Sequence, residues 1–206
     1  MTATRDLVPA PEAWIELDLS PLAHISADAF FALCQANPTL RLERSASGEI
    51  TVMPPAGFAT GHRNIVLATA IQNWAARDGT GIAVDSSAGF QLPNGATRSP
   101  DVAWIRRERL ANLPASATER FLPLCPDFVV ELRSPHDRTA TLRAKMAEYL
   151  ANGAQLGWLI DPGARTVTVY RPGTRPERLQ SPERLSGEPE LAGLVVELAD
   201  MWRAGF

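Results

Sequence analysis

The spacing of apolar side chains predicts two helices and a hairpin in the first part of the chain. Residues 26–36 show helical spacing behind Ser26, a residue type that caps helices. Residues 40–53 alternate between apolar and polar positions on both sides of a Ser-Ala-Ser-Gly turn, which predicts a β-hairpin. A longer helix is predicted over residues 60–77, ended by Gly79. Its core-facing residues are predicted to be Ile65, Ala68, Ile71, Gln72 and Ala75.

The rest of the chain is predicted to form strands, with one further helix among them. This helix covers about residues 140–152 and ends at Gly153. Residues 166–170 are predicted to pair with the strand before them across an Asp-Pro-Gly-Ala-Arg turn, and hairpin patterns recur after them. The other predicted strands are 81–85, 88–92, 101–105, 127–132 and 156–160.

These elements predict an α/β fold. In the middle of the chain their order is helix, strand, strand, strand, helix, strand. The strands at 127–132 and 156–160 are apolar on both faces, which is typical of strands covered by helices on each side. We therefore expect a mixed sheet flanked by helices, with extra N- and C-terminal hairpins. A chain of 206 residues has room for one such domain, so we expect a single domain over 1–206, with residues 1–20 partly irregular.

The composition is typical of a soluble globular protein, with 45% hydrophobic and 21% charged residues. Apolar runs are too short to span a membrane and residues 1–19 lack a signal-peptide pattern, so we expect a cytoplasmic protein. A formal net charge of −3 excludes a surface that is basic throughout, so nucleic acid would bind at a local basic patch. Cys34 and Cys125 lack metal-type spacing, and both are expected to be buried and reduced.

Two carboxylates occur where the pattern predicts strands. Asp101 begins a strand directly after a proline, and Glu131 interrupts the apolar run Phe-Val-Val-Glu-Leu. A buried carboxylate is unfavourable unless it is paired, hydrogen-bonded or bound to a metal. Because side chains alternate along a strand, Glu131 and Arg133 share one face, and an ion pair between them is the alternative to a metal site.

The chain contains 19 arginines and a single lysine, Lys145. There are two explanations for this single lysine. Its position requires a compact amine, or the lysine is a chance remainder of the strong Arg bias. Lys145 lies three residues after Leu142 and four before Tyr149, on the flank of the apolar stripe of its predicted helix, and so points toward the sheet. Two carboxylates and one amine at a sheet edge suit a hard divalent cation and an activated water.

The same residues belong to an ordered series of segments: SPDVAWI, PDFVVELRSP, LRAKMAEYLANGAQLGWLIDP and TVTVYRPG, preceded by the weaker RLERSASGEITVMPPAG. This series resembles the Uma-type family of restriction-endonuclease-like proteins, in the PD-(D/E)xK nuclease superfamily, over roughly residues 28–202. The resemblance implies a restriction-endonuclease-like core. It also implies that Asp101 and Glu131 are the metal ligands and that Lys145, supplied by the helix, is the catalytic lysine.

Other positions follow the family pattern less closely. Glu43 matches an acid in the first hairpin, and we count it with the catalytic residues. His62 matches a histidine before the first core helix, where it either completes a metal shell with Glu43 or helps to begin the helix. Arg133 stands where the strict Glu-x-Lys pattern has its lysine, so it either assists or interferes as an accessory residue. Thr141 replaces an acid found just before the helical lysine.

Three arginines flank the predicted strand of Asp101 and are candidate phosphate contacts: Arg98, Arg106 and Arg107. The alternative is a solvated basic run balanced by Glu108. His136 is expected to be a solvated loop residue, and His24 a structural one.

We therefore expect a Mg²⁺- or Mn²⁺-dependent endonuclease that hydrolyses phosphodiester bonds in DNA. The alternative is a catalytically inactive module on the same fold that binds nucleic acid or a partner protein. We expect DNA as the partner, no membrane association, and a homo-oligomer, with a dimer favoured.

Overall fold

The structure is a computed structural model that describes residues 25–203, so segment 1–20 and His24 lie outside the described residues. Its α-helices are α1 (Ala27–Ala36), α2 (Phe58–Asp78), α3 (Arg107–Ala111) and α4 (Thr139–Ala151). The first six strands are β1 (Arg41–Arg44), β2 (Ile50–Met53), β3 (Gly81–Asp85), β4 (Phe90–Gln91), β5 (Thr97–Arg98) and β6 (Val102–Arg106). The later strands are β7 (Phe128–Leu132), β8 (Leu156–Asp161), β9 (Thr166–Tyr170), β10 (Glu177–Gln180), β11 (Arg184–Ser186) and β12 (Val195–Glu197).

A six-stranded mixed sheet with the order β10-β9-β8-β7-β6-β3 forms the centre of the fold. Strands β7 and β8 are parallel and are joined through α4, whereas the other neighbouring strands of this sheet pair antiparallel. Helix α2, strands β3, β6 and β7, helix α4 and strand β8 follow the predicted order of the core. The expected mixed sheet flanked by helices is confirmed, as are the hairpins β1–β2 and β11–β12.

The alternation of side chains along β7 divides the core into two layers. Phe128 and Val130 point to the layer that contains α2, while Val129 points to the layer that contains α4. Glu131 follows the same alternation and therefore lies on the α4 side of the sheet. All five residues of β7 are buried, as expected for a central strand covered on both faces.

The predicted core-facing side of α2 was partly wrong. Ile71 and Ala75 are buried as predicted, but Ile65 is 61% exposed. Leu67 and Trp74 take its place in the core, and the Trp74 ring packs against Trp104 with centroids 5.5 Å apart. Because a fully buried Leu or Ile contributes about 1.5–3 kcal/mol, and an indole buries still more surface, the helix turns its Leu67–Ile71–Trp74 stripe toward the sheet.

A four-stranded sheet of order β2-β1-β5-β4 brings the first hairpin to the centre of the molecule. The predicted strand 88–92 shrinks to Phe90–Gln91 and pairs with Thr97–Arg98, a strand that the pattern did not predict. The Leu92 amide donates to the Ala96 carbonyl, and the intervening turn contains Gly95 with a φ of 89°. Strand β1 pairs in turn with β5, which places Glu43 beside Arg98.

Helix α4 lies very close to β8. A Cβ atom on Gly157 would be 2.4 Å from the methyl carbon Cε of Met146, so a larger residue here would require the end of the Met146 side chain to shift. Met146 and Tyr149 are completely buried, which confirms the apolar stripe predicted for the helix. Lys145 is thereby held over the sheet rather than in solvent.

Candidate active site

The ammonium group of Lys145 bridges two buried glutamates from two different sheets. Its Nζ atom lies 2.8 Å from Oε1 of Glu43 and 2.9 Å from Oε1 of Glu131. The side chain of Lys145 is 11% exposed, and each glutamate side chain is 5% exposed. Strand β1 supplies Glu43, strand β7 supplies Glu131 and helix α4 supplies Lys145, so the ion-pair cluster brings together three of the four predicted catalytic residues.

The pKa values of Glu131 and Lys145 are both raised, but for different reasons. It raises the pKa of Glu131 to about 7 against the attraction of Lys145, and the negative charges of Asp101 and Glu43 add to the increase. Burial also disfavours the charged form of Lys145, but attraction to Glu131 and Glu43 outweighs it and raises the pKa of the amine above its ordinary value. Lys145 therefore stays an ammonium ion at neutral pH and cannot accept a proton from water.

Glu43 remains ionised because several donors converge on it. The amide of Ser99 donates to Oε1 at 2.8 Å, and Nη1 of Arg98 lies 3.4 Å from Oε2. Burial raises the pKa of Glu43, but the charges of Lys145 and Arg98 and these hydrogen bonds outweigh it and lower the pKa below its usual value. Arg98 is held in turn by Glu148, with Nε 2.6 Å from Oε2. Glu43 thus provides a fixed negative charge that orients Lys145.

Asp101 lies beside this cluster at the end of the β6–β7 ladder. The ladder ends with Val102 opposite Val130, so Asp101 and Glu131 are the next residues on the two strands. Oδ2 of Asp101 accepts a hydrogen bond from the amide of Leu132 at 2.8 Å, and Oδ1 accepts one from Nδ2 of Asn64 at 3.1 Å. These bonds tie α2 to both strands and hold the Asp101 carboxylate in place.

The donor atoms around Asp101 suit a hard divalent cation. Asp101 and Glu131 offer carboxylate oxygens, each with lone pairs beyond those used in the hydrogen bonds. Oδ1 of Asn64 is buried and has no hydrogen-bond partner among the described residues. No group of three His, Cys, Asp or Glu side chains within residues 25–203 is arranged to hold a metal. A Mg²⁺ ion commonly binds only one or two protein carboxylates and completes its shell with water, so such an ion would use Asp101 and Glu131 alone.

Sequence analysis did not identify three polar residues that contribute to this region. The buried hydroxyl of Tyr149 donates to Oε1 of Glu131 at 3.0 Å, and burial raises the pKa of Tyr149 well above its ordinary value, so it stays a neutral donor. Its position four residues after Lys145 was a usable signal, because residues at that spacing share a helix face. Asn64 and Glu148 had no such signal, since each is fixed by partners distant in sequence.

Arg133 turns away from Glu131. Its Nη1 atom lies 3.0 Å from Oδ2 of Asp161, and its Nε donates to the carbonyl of Asp137. The alternative in which Glu131 pairs with Arg133 was therefore wrong, because Lys145 takes that place. The carboxylate of Asp161 at the end of β8 draws the guanidinium across the parallel β7–β8 pair.

His62 lies inside α2 rather than before it, as the fifth residue of the helix and two residues ahead of Asn64. The side chain is exposed, and the helix starts four residues earlier, at Phe58. Thr141 is also exposed, in the first turn of α4, and His136 is exposed as expected.

The structure does not bring the three candidate phosphate contacts to the site as exposed cations. The Arg98 side chain is 15% exposed and lies between Glu43 and Glu148. Arg106 is five residues along β6 from Asp101, roughly 17 Å away at the usual rise, and it donates to the carbonyl of Glu190. Arg107 donates to the carbonyl of Gly79. Each guanidinium therefore has a structural partner, and two of the three lie at the far end of the strand.

Comparisons with known proteins agree with this architecture. The sequence profile of the Uma2 family, described as "Putative restriction endonuclease", matches residues 27–199. A solved structure described as a "putative nuclease belonging to DUF820" from Anabaena variabilis superimposes with a TM-score of 0.72 at 22% identity, covering 86% of this chain and 97% of that one. Curated protein sequences give no match. Among the described helices, none has the length and hydrophobicity needed to cross a membrane.

Proposed function

Because this chain belongs to the Uma2 family, we propose that it is a Mg²⁺- or Mn²⁺-dependent endonuclease that hydrolyses phosphodiester bonds in DNA. The observation that carries the proposal is the Lys145 ammonium, held within 3 Å of two buried glutamates beside Asp101. The relationship to restriction-endonuclease-like proteins supports the nuclease assignment. The choice of DNA and of the cation rests on the chemistry of the site.

In this proposal Asp101 and Glu131 hold the cation. When bound, a divalent cation supplies positive charge to the phosphate oxygens and promotes the ionisation of water. Glu131 must lose its proton to act as a ligand, and its pKa of about 7 means that it does so near neutral pH. The side-chain amide of Asn64 and the backbone amide of Leu132 keep the Asp101 carboxylate oriented, and Glu131 lies on the neighbouring strand β7.

Lys145 acts through its charge rather than as a base. An ammonium has three N–H donors, and two of them are directed to Glu43 and Glu131. The third is free to orient the attacking water or to bind a phosphate oxygen, where the positive charge offsets the negative charge that develops in the transition state. Glu43 is a positioning residue in this scheme, because it reaches the reaction only through Lys145.

Two observations favour the alternative of an inactive binding module on the same fold. Arg133 occupies the strand position of the strict Glu-x-Lys lysine, and within residues 25–203 no third acid joins Asp101 and Glu131 to make a closed metal site. Such a module would bind nucleic acid or a partner protein without cleaving it.

Nicking of supercoiled plasmid with Mg²⁺ or Mn²⁺ tests the proposal, using wild type, Lys145→Arg and Lys145→Ala. The Arg variant keeps the charge but places a bulky guanidinium between the two glutamates, so we expect cleavage to fall at least ~100-fold. DNA affinity should change little, since phosphate contacts tolerate Arg. Full activity in Lys145→Arg would rule out the assigned role of the lysine. A wild type that binds DNA but cleaves it with neither metal would establish the inactive module.

A further inference from the structure

A polar cavity of about 140 Å³ lies on the α4 side of the six-stranded sheet, next to the candidate active site. Its walls come from α4 and from strands β8, β9 and β10. Three arginines and three threonines line it: Arg133, Arg143, Arg178, Thr139, Thr166 and Thr168. The site described above uses none of these side chains.

The cavity carries more positive than negative charge. Arg133 is paired with Asp161, whose second oxygen accepts from the amide of Ala164. Arg143 and Arg178 are exposed, and neither forms an ion pair with any residue in the range 25–203. Two guanidinium groups therefore face the cavity without a carboxylate to balance them, which favours an anionic ligand.

The start of α4 adds neutral donors on the same side. Thr139 is the first residue of the helix and lines the cavity. The helix has no side-chain cap, so the N–H groups of its first turn have no capping partner of that kind. Threonine hydroxyls and uncapped helix N–H groups both donate hydrogen bonds to phosphate oxygens.

The strand register fixes where this cavity lies relative to the candidate active site. Glu131 on β7 is opposite Leu159 on β8, Leu159 is opposite Thr168 on β9, and Thr168 is opposite Arg178 on β10. Residues paired in this way share a face of the sheet. Three strand spacings of roughly 4.8 Å separate Glu131 from Arg178 by about 14 Å. On the helix above, Arg143 precedes Lys145 by two residues.

We propose that this cavity binds a backbone phosphate of the nucleic acid, a different phosphate from the one held at Glu131 and Lys145. The separation of about 14 Å is several times the rise of about 3.4 Å per nucleotide along the duplex axis, so the two phosphates belong to different nucleotides. The proposal rests on the proposed function for its ligand class, but it concerns binding and not hydrolysis. The proposal also assigns a role to Arg133, which lines the phosphate site while it is ion-paired with Asp161.

Removing the two unpaired charges tests the proposal. The double variant Arg143→Gln/Arg178→Gln changes exposed side chains, so folding should be retained, and a melting curve verifies this. Arg77→Gln is the matched control, because Arg77 is exposed on α2, on the other side of the sheet, and forms no ion pair within residues 25–203. Fluorescence anisotropy measures affinity for duplex DNA without divalent metal over a range of salt concentrations.

We expect the double variant to bind DNA at least ~10-fold more weakly, as for the loss of hydrogen bonds to a charged group. The slope of log affinity against log salt should decrease by about 0.9 for each phosphate that the variant no longer neutralises, while Arg77→Gln changes neither quantity. Unchanged affinity, or weaker binding with an unchanged salt slope, would overturn the proposal. Inorganic phosphate that protects wild type but not the double variant against thermal unfolding, with no effect on DNA binding, would overturn nucleic acid as the ligand.

The plasmid cleavage assay tests the proposed endonuclease function independently of the phosphate site. If wild type cleaves plasmid and the double variant binds DNA normally, the endonuclease stands and the phosphate site is wrong. If wild type does not cleave but the double variant loses affinity and salt slope, the phosphate site stands and the endonuclease is wrong. A wild type that does not bind DNA at all would overturn both.

Discussion

Replacing Lys145 by methionine should destabilise the protein strongly, because it removes the only ammonium between two buried carboxylates. Breaking a buried ion pair by deleting one partner typically costs about 3–5 kcal/mol. Here Glu43 keeps its Arg98 partner and Glu131 keeps the Tyr149 hydroxyl, so we expect the lower end, about 3 kcal/mol. For a chain of this size that corresponds to a fall in melting temperature of roughly 6–12 °C.

Circular dichroism melting curves in a chelator at about pH 8 and about pH 5 provide the assay, with Arg143→Met as the control on the same helix. Arg143 has no ion-pair partner within residues 25–203, so its replacement should change stability by less than about 0.5 kcal/mol. The effect of Lys145→Met should shrink at the lower pH, because Glu131, with a pKa of about 7, is then protonated. A small effect equal to that of the control, or the same large effect at both pH values, would refute the electrostatic reasoning.

Two further predictions concern the carboxylates. Glu131 has a pKa of about 7 in the folded chain against 4.5 as its ordinary value, so the folded state holds this proton more tightly and loses that stabilisation as pH rises from 4.5 to 7. In a chelator, the stability of Glu131→Gln should therefore increase by about 3 kcal/mol relative to wild type over this range. Denaturant titrations measure both stabilities, and parallel pH profiles for the two proteins would contradict the shift. Mg²⁺ or Mn²⁺ at about 100 times the dissociation constant should stabilise wild type by about 2.7 kcal/mol and Asp101→Asn by much less. Equal increases in the melting temperatures of the two proteins would contradict the assignment of Asp101 as a metal ligand.

Local periodicity was sufficient for the elements that build the core. The apolar run of β7 and the stripe of α4 predicted that Lys145 lies over the sheet near Glu131, and the distance of 2.9 Å between Nζ of Lys145 and Oε1 of Glu131 agrees with that prediction. The two-residue strand Thr97–Arg98 gave no signal, because it is too short to show alternation. The rotation of α2 depends on the packing of Trp74 against Trp104, a contact between residues thirty positions apart.

The partners of charged residues were harder to predict, because these contacts also join residues that are distant in sequence. Arg133 could have paired with Glu131 on its own strand, and only the parallel arrangement of β7 and β8 makes Asp161 the nearer carboxylate. Glu43 entered through a family resemblance, since its partner Lys145 lies 102 positions away in sequence. The cation, the DNA substrate, the single domain over 1–206, the dimer and the cytoplasmic location stay predictions.

The single lysine of the sequence has a practical consequence. Acylating reagents attack neutral amines, and Lys145 is the one side-chain amine in this protein. That amine is 11% exposed and held as an ion between two glutamates, which should make it almost inert in the closed protein. Mass spectrometry of the acylated chain would therefore time the opening of α4 from the sheet, because each modification at Lys145 records a molecule in which that region came apart.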